Sequence, residues 1–116
     1  MPERGEIWVA NLNPRRRTEQ GKTRPVLVVQ AQALLDAGHP STIIIPLTMH
    51  TQDDAEPLRI RVVASDRLRQ DSDLLVDQIH AIDDRRLVQG PLTRLSAALM
   101  ARTEQAIHEV LDLPDA

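Results

Sequence analysis

Pro25-Val26-Leu27-Val28-Val29 is a continuous apolar run of β-branched character, and Ser41-Thr42-Ile43-Ile44-Ile45-Pro46-Leu47-Thr48 is a second strand-forming run. The first suits a strand buried on both faces, with Pro25 at its opening position, where a strand tolerates a residue without an N–H. In the second run, Pro46 predicts a sheet edge or a bulge at the far end of the strand. Between the two runs, Ala31-Gln32-Ala33-Leu34-Leu35-Asp36-Ala37 is helix-prone and ends at Gly38, which marks a short helical turn.

Outward from this pair, Glu6 to Leu12 forms a β-prone run closed by Asn13-Pro14. The segment from Arg15 to Thr23 contains no apolar residue and reads as a solvated loop. Leu58, Ile60 and Val62 alternate with Arg59 and Arg61, the period-2 pattern of an antiparallel strand with one face in water. Leu74-Leu75-Val76 and Ile79 predict a fifth strand around Asp77-Gln78, and Arg86 to Leu92 a weaker sixth. The period then changes. Leu99, Met100, Thr103, Ala106, Ile107, Val110 and Leu111 recur at helical spacing behind Ser96, a good N-cap, and Pro114 stops the helix. Short strands followed by one helix, without a βαβ rhythm, predict a mainly β fold: a small curled antiparallel sheet or barrel with a C-terminal amphipathic helix. A chain of 116 residues has room for one such domain, 1–116.

Composition excludes several functions. With 14 basic against 17 acidic residues the chain is no general nucleic-acid coat, yet Arg4, Arg15-Arg16-Arg17, Lys22 and Arg24 gather enough charge for a local basic face. Trp8 is the one aromatic residue, so a stacking platform of rings is not available. The absence of Cys removes disulfides, thiolate zinc sites and a Cys nucleophile together. No apolar run approaches the roughly 18 residues of a membrane span, and the N-terminus lacks the plan of a signal peptide, so the expectation is a cytoplasmic protein without membrane contact.

Three polar residues stand where folding does not ask for them: Arg24 at the start of an apolar strand, Thr48 at the exit of another, and Gln78 within a third. Each admits a plain reading. Arg24 can pair with a carboxylate such as Glu19, Thr48 can end a strand, and Gln78 can hydrogen-bond across the sheet. Taken together, with a polar glycine-containing loop ahead of them, they point to a site.

Arg4-Gly5-Glu6-Ile7-Trp8, Asn13-Pro14, Thr18-Glu19-Gln20-Gly21-Lys22-Thr23-Arg24-Pro25-Val26-Leu27-Val28, Pro46-Leu47-Thr48 and Asp77-Gln78-Ile79-His80-Ala81-Ile82-Asp83 together resemble the MazF/PemK toxins, nearly end to end. The resemblance implies an SH3-like β-barrel of the CcdB/PemK kind, homodimeric. It implies a toxin of a toxin-antitoxin pair that cuts single-stranded RNA at a short sequence, needs no cofactor, and is silenced by a cognate antitoxin. Carried over by position, the catalytic arginine falls on Arg24 and the catalytic hydroxyl on Thr48. The RNA-contacting loop residues fall on Thr18, Glu19 and Gln20, and a glutamine at the RNA-facing site on Gln78. His80 and the Arg15-Arg16-Arg17 run depart from the family pattern, and bear on which RNA sequence is recognised.

The implied reaction is attack of a ribose 2'-hydroxyl on its own 3'-phosphate, leaving a cyclic phosphate and a free 5'-hydroxyl. An Arg suits the extra negative charge of that transition state, being always charged and offering a planar fork of donors. A Thr hydroxyl can donate to a further oxygen. Arg and Thr are poor bases, and Glu19 is the nearest candidate for that role, or else orients Arg24. The basic loop should attract RNA and an acidic antitoxin tail alike. Two rivals stand beside this reading. A metal-dependent nuclease would draw on Asp53-Asp54, Asp71 with Asp73, and Asp83-Asp84, but these look like turn and strand-end solvation, and the four His lack zinc-ligand spacing. A binding module on the same barrel, such as a CcdB-like gyrase poison, shares the fold without the chemistry.

Overall fold

The computed structural model describes residues 1–13 and 22–114. Its elements are β1 (Glu6–Asn11), β2 (Thr23–Val28), α1 (Gln32–Asp36), β3 (Ser41–Thr48), β4 (Arg59–Val62), β5 (Ser72–Leu75), β6 (His80–Asp83), β7 (Leu87–Arg94) and α2 (Ala97–Leu111). The strands run in the order β4-β5-β3-β2-β1-β7, with β6 also on β3, and every pairing is antiparallel. The fold is mainly β with a C-terminal helix, as expected.

β2 and β3 are covered on both faces. Leu27, Ile45 and Leu47 join Ile60, Val62, Leu74 and Val76 under α2, which contributes Ala106 with Leu99 and Ile107. On the other face Val26, Val28 and Ile44 pack with Ala10, Leu12, Leu35 and Ile82, and Trp8 and Leu87 close that cluster. Burial on both sides explains why these strands are apolar runs and not alternating patterns. α2 begins at Ser96, whose Oγ accepts the Leu99 N–H at 3.1 Å. It ends at Asp112 in the left-handed region, φ 55°, ahead of Pro114.

Three expectations need correction. Pro46 does not mark an edge, because β3 is central. It falls where β3 changes partner, from β6 (ending at Ile44↔His80) to β5 (starting at Leu47↔Leu74), so its missing N–H interrupts neither ladder. The fifth strand around Asp77-Gln78 is really two strands. Val76–Gln78 is a 3-10 turn, because β5 and β6 serve opposite ends of β3 and the chain must step between them. Finally, the barrel is not closed: the pairing order begins at β4 and finishes at β7. A turn bridges that gap, with the Arg67 N–H donating to the Leu92 carbonyl at 2.9 Å and the Ser65 and Thr93 hydroxyls 2.8 Å apart. Among the described residues no helix is long and apolar enough to cross a membrane.

Candidate active site

Pairing registers assemble the site. Ala10 stands opposite Arg24, Thr48 opposite Asp73, and Asp73 opposite Arg61. The β2–β3 register, which reaches Val26↔Pro46, brings Arg24 across from Thr48 when continued two residues. Arg24, Thr48, Asp73 and Arg61 thus form one line across four strands. Directly opposed residues of antiparallel strands share a face, and here it is the face turned away from Leu27, Leu47, Leu74 and Ile60. The regular β2–β3 pairing gives out at Pro25, which has no N–H to offer, so Arg24 and Thr48 face each other where the two strands are free to part.

Thr48 is 4% exposed, and its Oγ1 accepts the His50 N–H at 3.2 Å. With a lone pair so engaged, the hydroxyl hydrogen is left to be donated elsewhere. Arg24 is half-buried at the start of β2. Gln78 is not on the line. It stands on the 3-10 turn that precedes β6. Its carbonyl accepts the His80 Nδ1–H at 2.7 Å. His80 therefore does not share a strand face with Gln78, as a continuous strand would have required.

Thr18, Glu19 and Gln20, and Arg15-Arg16-Arg17 with them, lie outside the described residues. The residues that flank the segment are bonded to each other. Asn13 Oδ1 accepts the Lys22 N–H at 2.7 Å, and the Leu12 N–H donates to the Lys22 carbonyl at 2.8 Å. Arg86 Nη1 donates to the carbonyls of Asn11 at 3.2 Å and Asn13 at 2.6 Å. Both ends of the segment therefore emerge next to Arg24. Asn13 is more than the punctuation its sequence suggests.

One group was hidden in the sequence. Asp73 is no solvating strand-end acid: it is 1% exposed, and it accepts from Gln52 N at 2.7 Å, Arg61 Nε at 2.6 Å and Arg59 Nη1 at 3.4 Å. Burial pushes its carboxyl up, but the hydrogen bond from Arg61, the Gln52 N–H, the Arg61 charge and Arg59 together outweigh this and hold it below the ordinary carboxylate value. The available signal was an acid inside an apolar strand together with a strand reading Arg-x-Arg.

A pH prediction follows from that direction. A carboxyl with a depressed folded pKa adds stability that is complete above its unfolded pKa, roughly 3.9, and is lost as pH falls through the folded value. Asp73→Asn should cost about 1–3 kcal/mol at pH 7. Urea melts should show the gap to the parent protein closing as pH falls from 5 toward 2. A gap of constant size would show that the charge of Asp73 is not what stabilises.

A family model described as PemK-like, MazF-like toxin of type II toxin-antitoxin system matches residues 3–111. The chain belongs to this family. This MazF-like toxin is 32% identical to Endoribonuclease EndoA of Bacillus subtilis (strain 168), over 97% of each chain. It is also 32% identical to Endoribonuclease MazF of Staphylococcus saprophyticus, over 97% of this chain and 93% of that one. Among solved structures, MazF from Deinococcus radiodurans superposes with a TM-score of 0.78 at 22% identity, covering 96% of both chains. The Mycobacterium tuberculosis toxin MazF-mt6 gives 0.77 at 23% identity, covering 95% of this chain and 99% of that one. The toxin shares their fold.

Proposed function

We propose that this toxin is a sequence-specific, metal-independent endoribonuclease that cleaves single-stranded RNA, as an enzyme of a toxin-antitoxin pair. What supports the reading is the β2–β3 register, which ends at Val26↔Pro46 and, continued by two residues, brings Arg24 across from Thr48. An incoming 2'-oxygen forms a bond to phosphorus, the bond to the 5'-oxygen breaks, and the phosphorane between them bears additional negative charge. Arg24 offers its fork to two of the phosphate oxygens, and the Thr48 hydroxyl donates to another. Thr18, Glu19, Gln20 and Gln78 contact the RNA strand. Glu19 is the candidate to take the 2'-proton or to orient Arg24.

Names of related proteins support this. The curated relatives at 32% identity are endoribonucleases. One solved relative is an endoribonuclease in complex with its cognate antitoxin. The partners we propose are RNA and a cognate antitoxin, in keeping with those names, and, on the family resemblance, an acidic antitoxin tail and a second copy of the toxin, in the cytoplasm.

The test is incubation of purified toxin with total RNA in EDTA, followed by end-mapping. Discrete cuts bearing cyclic phosphate and 5'-hydroxyl ends are expected. Cleavage that requires added Mg²⁺ would overturn the metal-free mechanism. Intact RNA together with stalled gyrase would favour the binding module instead.

A further inference from the structure

We propose that Asp73 is a positioning residue that aims the Thr48 hydroxyl, acting through Arg59 and the backbone of residues 50–52. The proposal rests on the assignment of Thr48 to the transition state given above. Thr48 is the last residue of β3, where a side chain is usually held by its own strand alone. Here its Oγ1 is also held by the His50 N–H at 3.2 Å, so the direction of the hydroxyl depends on where His50 sits.

His50 is held from both sides. Its carbonyl accepts Arg59 Nη1 at 2.9 Å, and beyond it the Gln52 N–H donates to Asp73 Oδ2 at 2.7 Å. The same Oδ2 accepts Arg59 Nη1 at 3.4 Å, while Oδ1 accepts Arg61 Nε at 2.6 Å. One carboxylate, directly across the β3–β5 ladder from Thr48, thus gathers the segment that follows Thr48 and both arginines of β4.

Stability alone is a weak reason for such a group. Replacing a buried ion pair with well-packed apolar residues is often neutral or stabilising. Leu75, two residues on and therefore on the same face of β5 as Asp73, is apolar and buried, so an apolar side chain would suit that face. What the carboxylate supplies is orientation. A donor to a developing phosphorane must meet an oxygen within a fraction of an ångström, and a misplacement of about 1 Å can cost up to roughly 100-fold in rate.

The test is a kinetic double-mutant cycle on an RNA oligonucleotide carrying the mapped cleavage site, at a temperature below every variant's melting point. Thr48→Ala is expected to lower kcat about 100-fold, the loss of one transition-state donor. Asp73→Asn should lower kcat roughly tenfold with KM within about twofold, because RNA binding is shared with other contacts. In the Thr48→Ala background, Asp73→Asn should cost nothing further, since there is no hydroxyl left to aim. An additional tenfold loss in the double variant, or an unchanged kcat in Asp73→Asn, would overturn the proposal. Wild-type kcat in Thr48→Ala would instead overturn the role of Thr48 itself, and this proposal with it. Arg59→Gln cuts the relay at its more exposed end and carries the same cycle if Asp73→Asn fails to fold. The expected result is the same tenfold loss, again absent without Thr48.

Discussion

Arg24→Ala is expected to lower cleavage to no more than about one-thousandth of the parent rate, because losing a single transition-state donor already costs 10²–10³ and Arg24 offers a fork of them. The fold should survive. Arg24 belongs to neither apolar cluster, and its place in β2 is held by backbone pairing with Ala10. Its removal takes away charge at the reacting phosphate and leaves the core volume unchanged. Arg24→Lys should recover less than roughly tenfold, since an ammonium is a compact point charge that cannot address two oxygens from one plane. Both variants are to be compared by kcat/KM on the same oligonucleotide, with melting temperature as the control for folding. Near-normal turnover in either would remove Arg24 from the mechanism.

Gly90→Ala carries the largest expected loss of stability from a single methyl group. A Cβ at this position would stand 2.4 Å from Trp8 Cδ2, 2.7 Å from Cγ and 2.9 Å from Cε3. Real atoms do not approach so closely, so the indole ring has to move. It is not free to do so: its Nε1–H donates to Glu6 Oε1 at 3.0 Å, and the same oxygen accepts the Glu3 N–H at 2.8 Å. Glu6 is itself buried, with Arg94 Nη2 at 3.4 Å from its other oxygen. Displacing the ring therefore loosens a buried carboxylate and the cluster that Trp8 closes. We expect a cost of about 2–3 kcal/mol, read as a fall in melting temperature of roughly 8–15 °C. In a Trp8→Leu background the same glycine change should cost much less, because the clash has been removed. A melting temperature within about 2 °C of the parent would show that the ring slides aside freely.

How far the sequence revealed all this can be traced residue by residue. The strands were legible because β-branched runs and the Arg59/Arg61 alternation carry their periodicity openly, and α2 because its apolar stripe and Ser96 mark it. Gln78 misled because Leu74, Leu75, Val76 and Ile79 are apolar whether the chain continues straight or turns, and only the pairing of β3 with two different partners decides between them. Pro46 misled for the same reason. Arg24 and Thr48 were visible as polar residues at strand margins, but their opposition is a property of register, which composition does not express. Asp73 escaped because an acid near Asp71 looks like solvation until three donors are found around it.

The sheet that fails to close has one more consequence. β4, β6 and β7 each have one side without a strand partner, where a strand from another molecule could add, although on β7 the Arg67 N–H already takes the Leu92 carbonyl. Two of these edges, β4 and β7, are poorly suited to such a visitor. β4 is four residues long and alternates Arg59 and Arg61 with its apolar positions, and β7 carries Gly90-Pro91 at its middle. A proline withholds a donor, and charged, hydrated side chains make a poor seat for an added strand. The arginines that hold Asp73 in place therefore also guard against aggregation, so exchanging them for β-branched apolar residues would put the protein's dispersal at risk as well as its chemistry.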